Sequence, residues 1–159
     1  MYDYIRYPSP LGLLTVAAED GKLTAVVMEG QKHEEHHLQG DGRERETGAL
    51  HAARLWLDQY LAGNRPDPTS LPLSPKGTPF QTKVWQELQQ IPYGETVTYG
   101  DLAKRLGSSA RAVGNAVGRN PLSILIPCHR VLGADGSLTG YAGGLKNKET
   151  LLRLEGVLK

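Results

Sequence analysis

Asn120-Pro121-Leu122-Ser123-Ile124-Leu125-Ile126-Pro127-Cys128-His129-Arg130-Val131 is the stretch on which the reading of this chain turns. It holds the only cysteine in 159 residues. The apolar run Ile124-Leu125-Ile126 leads a buried segment up to Cys128, and Pro127 fixes φ just ahead of it while removing a backbone donor. His129 and Arg130 follow directly. A thiol reacts as its thiolate, and neighbouring basic or cationic groups depress its pKa, so the stretch has the composition of a nucleophile's surroundings. The competing reading is a small buried hydrophobe, a common fate of an unpaired cysteine, because successive side chains on an extended segment face opposite ways.

A single cysteine makes no internal disulfide and cannot supply a zinc site of several cysteines. Apolar content is 39% and charged content 22%, as expected of a globular protein with one good core or two small ones. The apolar runs are too short to cross a bilayer, and no charged-then-apolar leader opens the sequence. A cytoplasmic protein is expected, with no membrane partner. The formal charge of +1 conceals an uneven distribution. Residues 1–76 carry 8 Lys/Arg and 11 Asp/Glu, a net of −3; residues 77–159 carry 10 and 6, a net of +4. Between Leu102 and Ala134 there is no acid, but there are Lys104, Arg105, Arg111, Arg119 and Arg130. Such a tract suits a phosphate backbone, or is a solvated face that lacks acids.

The first half reads as an antiparallel meander: strands over Tyr2–Tyr7, Leu13–Ala18 and Leu23–Met28, with a turn at Ser9–Gly12 and the hairpin signal Asp20-Gly21. Residues 31–48 are polar and read as a mobile exposed loop. They contain His33-Glu34-Glu35-His36-His37, which matches H-E-x-x-H in letters but lacks a long helix to present both histidines together; no metal is expected. Leu50, Ala53, Leu57, Tyr60 and Leu61 recur at helical spacing, with Gly63 after the last turn. Pro66, Pro68, Pro72 and Pro75 then mark an extended linker, and the domain boundary is placed at residue 76.

The second half is mainly helical. Phe80, Val84, Leu88 and Ile91 share a helical face, with Trp85 beside it. Thr98 and Asp101 resemble a capping box ahead of Leu102, Ala103 and Leu106. Gly107-Ser108-Ser109 makes a short turn, and Ser108 or Ser109 caps a helix over Ala110–Arg119. Two short helices about a glycine-containing turn, the second one basic, describe a helix-turn-helix. The second helix is rich in small residues (Ala110, Ala112, Gly114, Ala116, Gly118), although each glycine costs a helix about 1 kcal/mol. They either let this helix approach another backbone, with Arg111 as the one long side chain able to enter a duplex, or they pack it tightly on its neighbour. Gly140-Tyr141-Ala142-Gly143-Gly144 lacks the lysine of a phosphate loop and suits a flat ligand walled by Tyr141. A last helix runs through Leu151, Leu152 and Leu154. Glu155 at its close is either an ordinary surface glutamate or, since the helix dipole disfavours a carboxylate there unless something holds it, a residue with a partner, for which His129 is the candidate.

Pro127-Cys128-His129-Arg130-Val131 resembles the active-site signature of the O6-alkylguanine-DNA alkyltransferases. The resemblance extends through Phe80–Gly156, in the blocks Ile91-Pro92-Tyr93-Gly94-Glu95, Thr98-Tyr99, Ala110-Arg111-Ala112-Val113-Gly114, Asn120-Pro121 and Tyr141–Gly144. It implies an α+β fold: a small antiparallel sheet plus helix in 1–76, and a catalytic, DNA-binding, mainly helical domain in 77–159. It also implies irreversible, stoichiometric transfer of an alkyl group from O6-alkylguanine, and from O4-alkylthymine, to Cys128. On this resemblance His129 is the base acting through a water, Glu155 orients it, Asn120 supports the cysteine segment, and Tyr99 turns the nucleotide out and protonates the leaving base. Ala110, Arg111, Gly114, Ser108 and Ser109 would meet the minor groove, with Arg111 filling the gap in the stack. Val131, Tyr141, Ala142 and Gly143 would line the base pocket. No cofactor is implied; the expected partner is double-stranded DNA, met by a monomer. Ala142 stands where some members carry serine and Ser123 where some carry proline, and both bear on adduct size. The rivals are a thiol hydrolase using Cys128 and His129, which would turn over repeatedly, and a non-enzymatic lesion reader, which would not need Cys128.

Overall fold

Asp20 and Gly21 both take positive φ, 51° and 75°, the two-residue turn whose twist matches that of paired strands. They join β2 (Gly12–Glu19) to β3 (Lys22–Met28), and β2 pairs antiparallel with β1 (Tyr2–Ser9). The computed structural model describes Met1–Lys159 and divides into two units: residues 1–76 with 121–125, and residues 77–120 with 126–159.

In the first unit α2 (Gly48–Leu61) buries Leu50, Ala53, Trp56, Leu57 and Tyr60 and packs on the sheet. Side chains of this size each contribute about 1.5–3 kcal/mol when removed from water. Residues 31–48, expected as a mobile loop, instead hold two short elements, α1 (Glu34–His37) and β4 (Gly42–Glu44). β4 joins the sheet parallel to β1, giving the order β3-β2-β1-β4, so the sheet is not wholly antiparallel. All three β4 residues are exposed, which removes the alternation that would reveal a strand. Backbone bonds flank it, Tyr2 donating to the Asp41 carbonyl at 3.0 Å and Arg45 to the Tyr4 carbonyl at 3.1 Å, and the exposed Arg43 and Arg45 side chains donate to the two oxygens of Asp3 at 3.0 and 3.1 Å. Leu38 packs with Tyr2 and Tyr4 over Ala17, Ala25 and Val27. His33 caps the four-residue α1 with φ 65°, and its ring lies 6.5 Å from that of His37.

The proline-rich stretch is also tied down. Leu23 donates to the Pro72 carbonyl (2.7 Å) and its own carbonyl accepts from Ser74 (2.8 Å). Proline lacks a donor but keeps its carbonyl, and the spacing leaves the Leu73 and Ser74 N–H groups in place. Farther along the same open edge of β3, Val26 donates to the Pro121 carbonyl at 2.8 Å and bridges to Leu122. The edge is thereby closed to foreign strands. Just beyond, Leu125 donates to the Ser123 carbonyl at 2.9 Å around Ile124, whose φ is 73°. That is a γ-turn of the strained, positive-φ kind. A β-branched residue in this region costs about 1–3 kcal/mol, and Ile124 is 2% exposed.

In the second unit α3 (Pro79–Leu88) starts at a capping box between Thr78 and Gln81 with Pro79 in the first turn. It buries Val84, Trp85 and Leu88, and the Trp85 indole donates to the Ala116 carbonyl at 2.9 Å. The Thr98–Asp101 capping box starts α4 (Tyr99–Leu106). Gly107 ends it in the left-handed conformation, φ 61°, where a Cβ would be strained. Ser109 accepts from the Ala112 N–H to start α5 (Ala110–Gly118). β5 (Val97–Thr98) pairs parallel with β6 (Val131–Leu132), and α6 (Leu145–Leu154) closes the unit. No helix is long and apolar enough to cross a membrane.

Candidate active site

Chain geometry delivers the cysteine. Pro127 has φ −78° and ψ 65°, and Cys128 donates to the Ile126 carbonyl at 2.8 Å; this is an inverse γ-turn, the relaxed mirror of the turn at Ile124. The buried Asn120 donates its amide to the same Ile126 carbonyl at 2.8 Å. Cys128 then opens a single 3-10 turn, Cys128–Arg130, at 5% exposure.

The thiol does not have the depressed pKa that its sequence neighbours led us to expect. Burial pushes it up, and this outweighs the hydrogen bond from Asn120, the charge of Lys148 and the hydrogen bond from Tyr141, all of which pull it down. His129 and Arg130 are turned by the 3-10 geometry toward Glu155. His129 Nε2 lies 2.6 Å from Glu155 Oε2. Arg130 donates to both Glu155 oxygens, at 2.8 and 3.0 Å, and to the Ile91 carbonyl at 2.6 Å. The Gly94 N–H adds a bond to Oε1 at 3.0 Å. Both Glu155 and His129 have fully buried side chains.

This arrangement favours the neutral form of His129. Burial lowers the His129 pKa; Glu155 opposes that, and Arg130 and Lys148 add to it. Arg130 already balances the Glu155 charge, which leaves the burial of His129 to favour the neutral imidazole. An ionised carboxylate only accepts, which puts the imidazole proton on Nε2 and leaves the buried Nδ1 as the basic nitrogen. A neutral, oriented imidazole is a base ready to take a proton.

Lys148 is the group that reading the sequence missed. Its side chain is 0% exposed, and Nζ donates to the carbonyls of Val131 (2.5 Å), Thr139 (2.9 Å) and Gly140 (3.3 Å). Burial lowers its pKa from 10.5 to about 8, against the pull of Cys128. The Tyr99 hydroxyl donates to the same Thr139 and Gly140 carbonyls (3.1 and 3.4 Å), and Lys148 Nζ lies 5.9 Å from the Tyr99 ring centroid. Burial, with Cys128 adding to it, raises Tyr99 to about 12, so it is a donor at neutral pH. The signal for Lys148 was its position: 148, 151 and 152 form the buried face of α6, and a lysine there needs partners.

Cys128, Asn120, Tyr141, Lys148 and Tyr99 are thus one electrostatically linked group, with His129, Arg130 and Glu155 forming an adjoining buried cluster on the same turn. Val131 is fully buried and its carbonyl holds Lys148. Tyr141, Ala142 and Gly143 are half-buried in a turn closed by the Gly144 N–H on the Tyr141 carbonyl (2.9 Å), and the Gly143 carbonyl accepts from Asn147 at 2.9 Å. The remaining residues lie on the helix pair: Ala110 and Arg111 exposed at the start of α5, Gly114 half-buried, Ser109 as cap, and Ser108 bonded to the Ala103 carbonyl at 2.9 Å. A Cβ built on Gly114 would make only ordinary contact with Tyr99 (3.8 and 3.9 Å), and one on Gly118 would meet nothing. Tight packing on the protein's own helices therefore does not account for these glycines. Nowhere do three His, Cys, Asp or Glu side chains gather in a way that would hold a metal ion.

Comparison with known proteins agrees in both halves. Residues 2–75 match the ribonuclease-like domain, and residues 79–157 the DNA binding domain, of the 6-O-methylguanine DNA methyltransferase family models. A methylated-DNA–protein-cysteine methyltransferase of Mycolicibacterium paratuberculosis is 45% identical over 98% of this chain and 93% of its own length. The Haemophilus influenzae protein of that name is 42% identical, with 96% and 85% covered. Among solved structures, Mycobacterium tuberculosis OGT in complex with DNA superposes with a TM-score of 0.85 at 42% identity, covering 96% of this chain and 92% of that one. With both domain models matched over nearly the whole length, the chain belongs to the 6-O-methylguanine DNA methyltransferase family.

Proposed function

We infer that this protein repairs O6-alkylguanine in double-stranded DNA by transferring the alkyl group irreversibly to its own Cys128. The observation that carries this reading is the buried Cys128 thiol under hydrogen bonds from Asn120 and Tyr141, followed in the chain by a buried His129 bonded to Glu155 at 2.6 Å. Residues 77–159 carry the chemistry and the DNA surface, and residues 1–76 form the supporting domain.

In the proposed reaction the thiol proton passes through a water to His129 Nδ1. The thiolate attacks the alkyl carbon in line, the S–C bond forms, and the C–O6 bond breaks with its electron pair going to the base. Tyr99 donates a proton to the departing guanine and recovers one by way of His129, so one thiol and one alkoxyguanine become one thioether and one guanine. Water and cellular thiols do not cleave a thioether, so each molecule acts once. O4-alkylthymine presents the same kind of alkoxy carbon and is a second substrate.

The O6 carbon is inside the duplex, so the nucleotide must be turned out at a cost of a few kcal/mol, less for a poorly paired lesion. The exposed Ala110 and half-buried Gly114 of α5, with the exposed Arg111 between them, suit close approach to a minor groove, and Arg111 fills the space that the base leaves. Val131, Tyr141, Ala142 and Gly143 line the pocket that receives the base. The protein acts as a monomer.

Mass spectrometry after incubation with an O6-methylguanine oligonucleotide tests the reading. The expected result is one methyl on the Cys128 peptide, saturating at one per protein and absent in Cys128→Ser. Tight binding with no added mass would make this a lesion reader instead. For Arg111→Ala, repair of duplex is expected to fall by about tenfold or more, while alkylation by free O6-benzylguanine changes little, since the stacking gap exists only in DNA. Equal losses in the two assays would remove Arg111 from the extrusion step.

A further inference from the structure

Between Asn120 and Cys128 the chain makes two γ-turns of opposite hand. At Pro127 the ring fixes φ where an inverse γ-turn needs it, so that turn is relaxed. At Ile124 φ is 73°, and the only other non-glycine residues with positive φ are Asp20 and His33. Aspartate and histidine are among the types that enter this region most readily; isoleucine is among those that resist it. Glycine would take the same backbone with little strain. An isoleucine, 2% exposed, thus stands four residues ahead of Cys128 in a conformation that its branched side chain disfavours.

We propose that Ile124 is a positioning residue for Cys128: its strained γ-turn gives the elbow that carries the sulfur a single conformation. Both ends of the elbow are held. Upstream, the Pro121 carbonyl accepts from Val26 at 2.8 Å; downstream, the Ile126 carbonyl accepts from Cys128 and from the Asn120 amide, each at 2.8 Å. A β-branched side chain has few rotamers, and a buried one cannot swing, so the turn cannot pass to its mirror form without lifting the isoleucine out of its site. Glycine would populate both hands. The strain therefore accompanies uniqueness: the sulfur is kept against Asn120, Tyr141 and Lys148, the groups that pull its pKa back toward reactivity. A displacement of about 1 Å at a reacting atom costs on the order of 100-fold in rate.

This proposal rests on Cys128 being the alkyl acceptor. The test is the rate of Cys128 alkylation by free O6-benzylguanine, followed by mass as a function of pH, with melting temperatures alongside, for wild type, Ile124→Gly and Ile124→Val. In Ile124→Gly the rate at neutral pH is expected to fall about tenfold or more, and the pH of half-maximal rate to rise by about one pH unit, equivalent to a tenfold loss of thiolate. Ile124→Val keeps the branch and the strained backbone; its rate stays within about twofold and its pH profile does not move, although its melting temperature drops for the lost methylene. If Ile124→Gly does not fold, Ile124→Ala, which removes the anchoring side chain but keeps a Cβ, is read the same way. Lower melting temperatures with unmoved pH profiles in every variant would reduce Ile124 to a packing residue and overturn the proposal. A wild type that takes up no label would instead remove the acceptor role of Cys128, and this proposal with it.

Discussion

Replacing Glu155 with alanine is expected to lower stability by about 3–5 kcal/mol, the usual consequence of leaving one partner of a buried ion pair alone. The carboxylate receives Arg130 on both oxygens, His129 on one and the Gly94 N–H on the other. Its removal strands a guanidinium whose remaining bond is to the Ile91 carbonyl. Glu155→Gln keeps the shape but not the charge, so it should recover part of the packing and little of the ion pair. Urea unfolding gives the stability; a loss below about 1 kcal/mol for alanine would mean that water reaches the cluster. Activity should suffer separately. Without Glu155 the bond that places the proton on Nε2 is lost, and on the proposed reading His129 loses its orienting partner, a general-base contribution of about 10²–10⁴-fold in rate. Alkylation by O6-benzylguanine is expected to fall by about 100-fold under conditions where the variant remains folded. A folded variant with full activity would exclude His129 from the proton's path.

Lys148→Met should produce a second large effect, with a signature in pH. The ammonium lowers the Cys128 pKa, and the thiolate in turn raises that of Lys148. Removing it should reduce alkylation at pH 7 by about 10–100-fold, since each tenfold corresponds to one unit of thiol pKa. The deficit should narrow above about pH 8, where the wild-type lysine itself begins to lose its proton. A constant deficit across pH would assign Lys148 to holding the carbonyls of Val131, Thr139 and Gly140 and nothing more. Stability carries a matching sign. The folded chain holds Lys148 near 8, whereas the unfolded chain has it at 10.5, so between those values the unfolded state binds the extra proton. This side chain therefore makes the fold more stable as pH rises through that window, and Lys148→Met should lack that component in pH-dependent melting.

The helical domain was legible because its signals are local. Thr98 and Asp101 form the expected capping box, Ser109 caps α5, and Gly107 supplies the left-handed stop between the helices. The hairpin at Asp20-Gly21 needed only two residues to announce itself. What escaped notice was held by distant partners. β4 carries no apolar pattern and pairs with β1, some forty residues away. The Pro72 segment reads as linker until its carbonyl is seen to serve Leu23. At the site, residue types alone left Cys128 open to a packing role and Glu155 to a surface one, and only the resemblance singled them out with His129; the charge logic was not legible at all. Arg130 adjoins the cysteine in sequence and serves Glu155 in space, and Lys148 is distinguishable from a surface lysine only by its place on the buried face of α6.

The pairing of Val26 with Pro121 and Leu122 also bears on biosynthesis. The edge of the N-terminal sheet is completed by residues synthesised almost a hundred positions later. As the chain leaves the ribosome, the meander and α2 can form early, but β3 keeps part of its outer edge open until that stretch emerges. Closing so long a loop is slow compared with local helix formation. The early-formed unit thus waits, partly unzipped, for the segment that leads to the cysteine, and a gene cut at residue 76 would encode a sheet that never receives its last bridge.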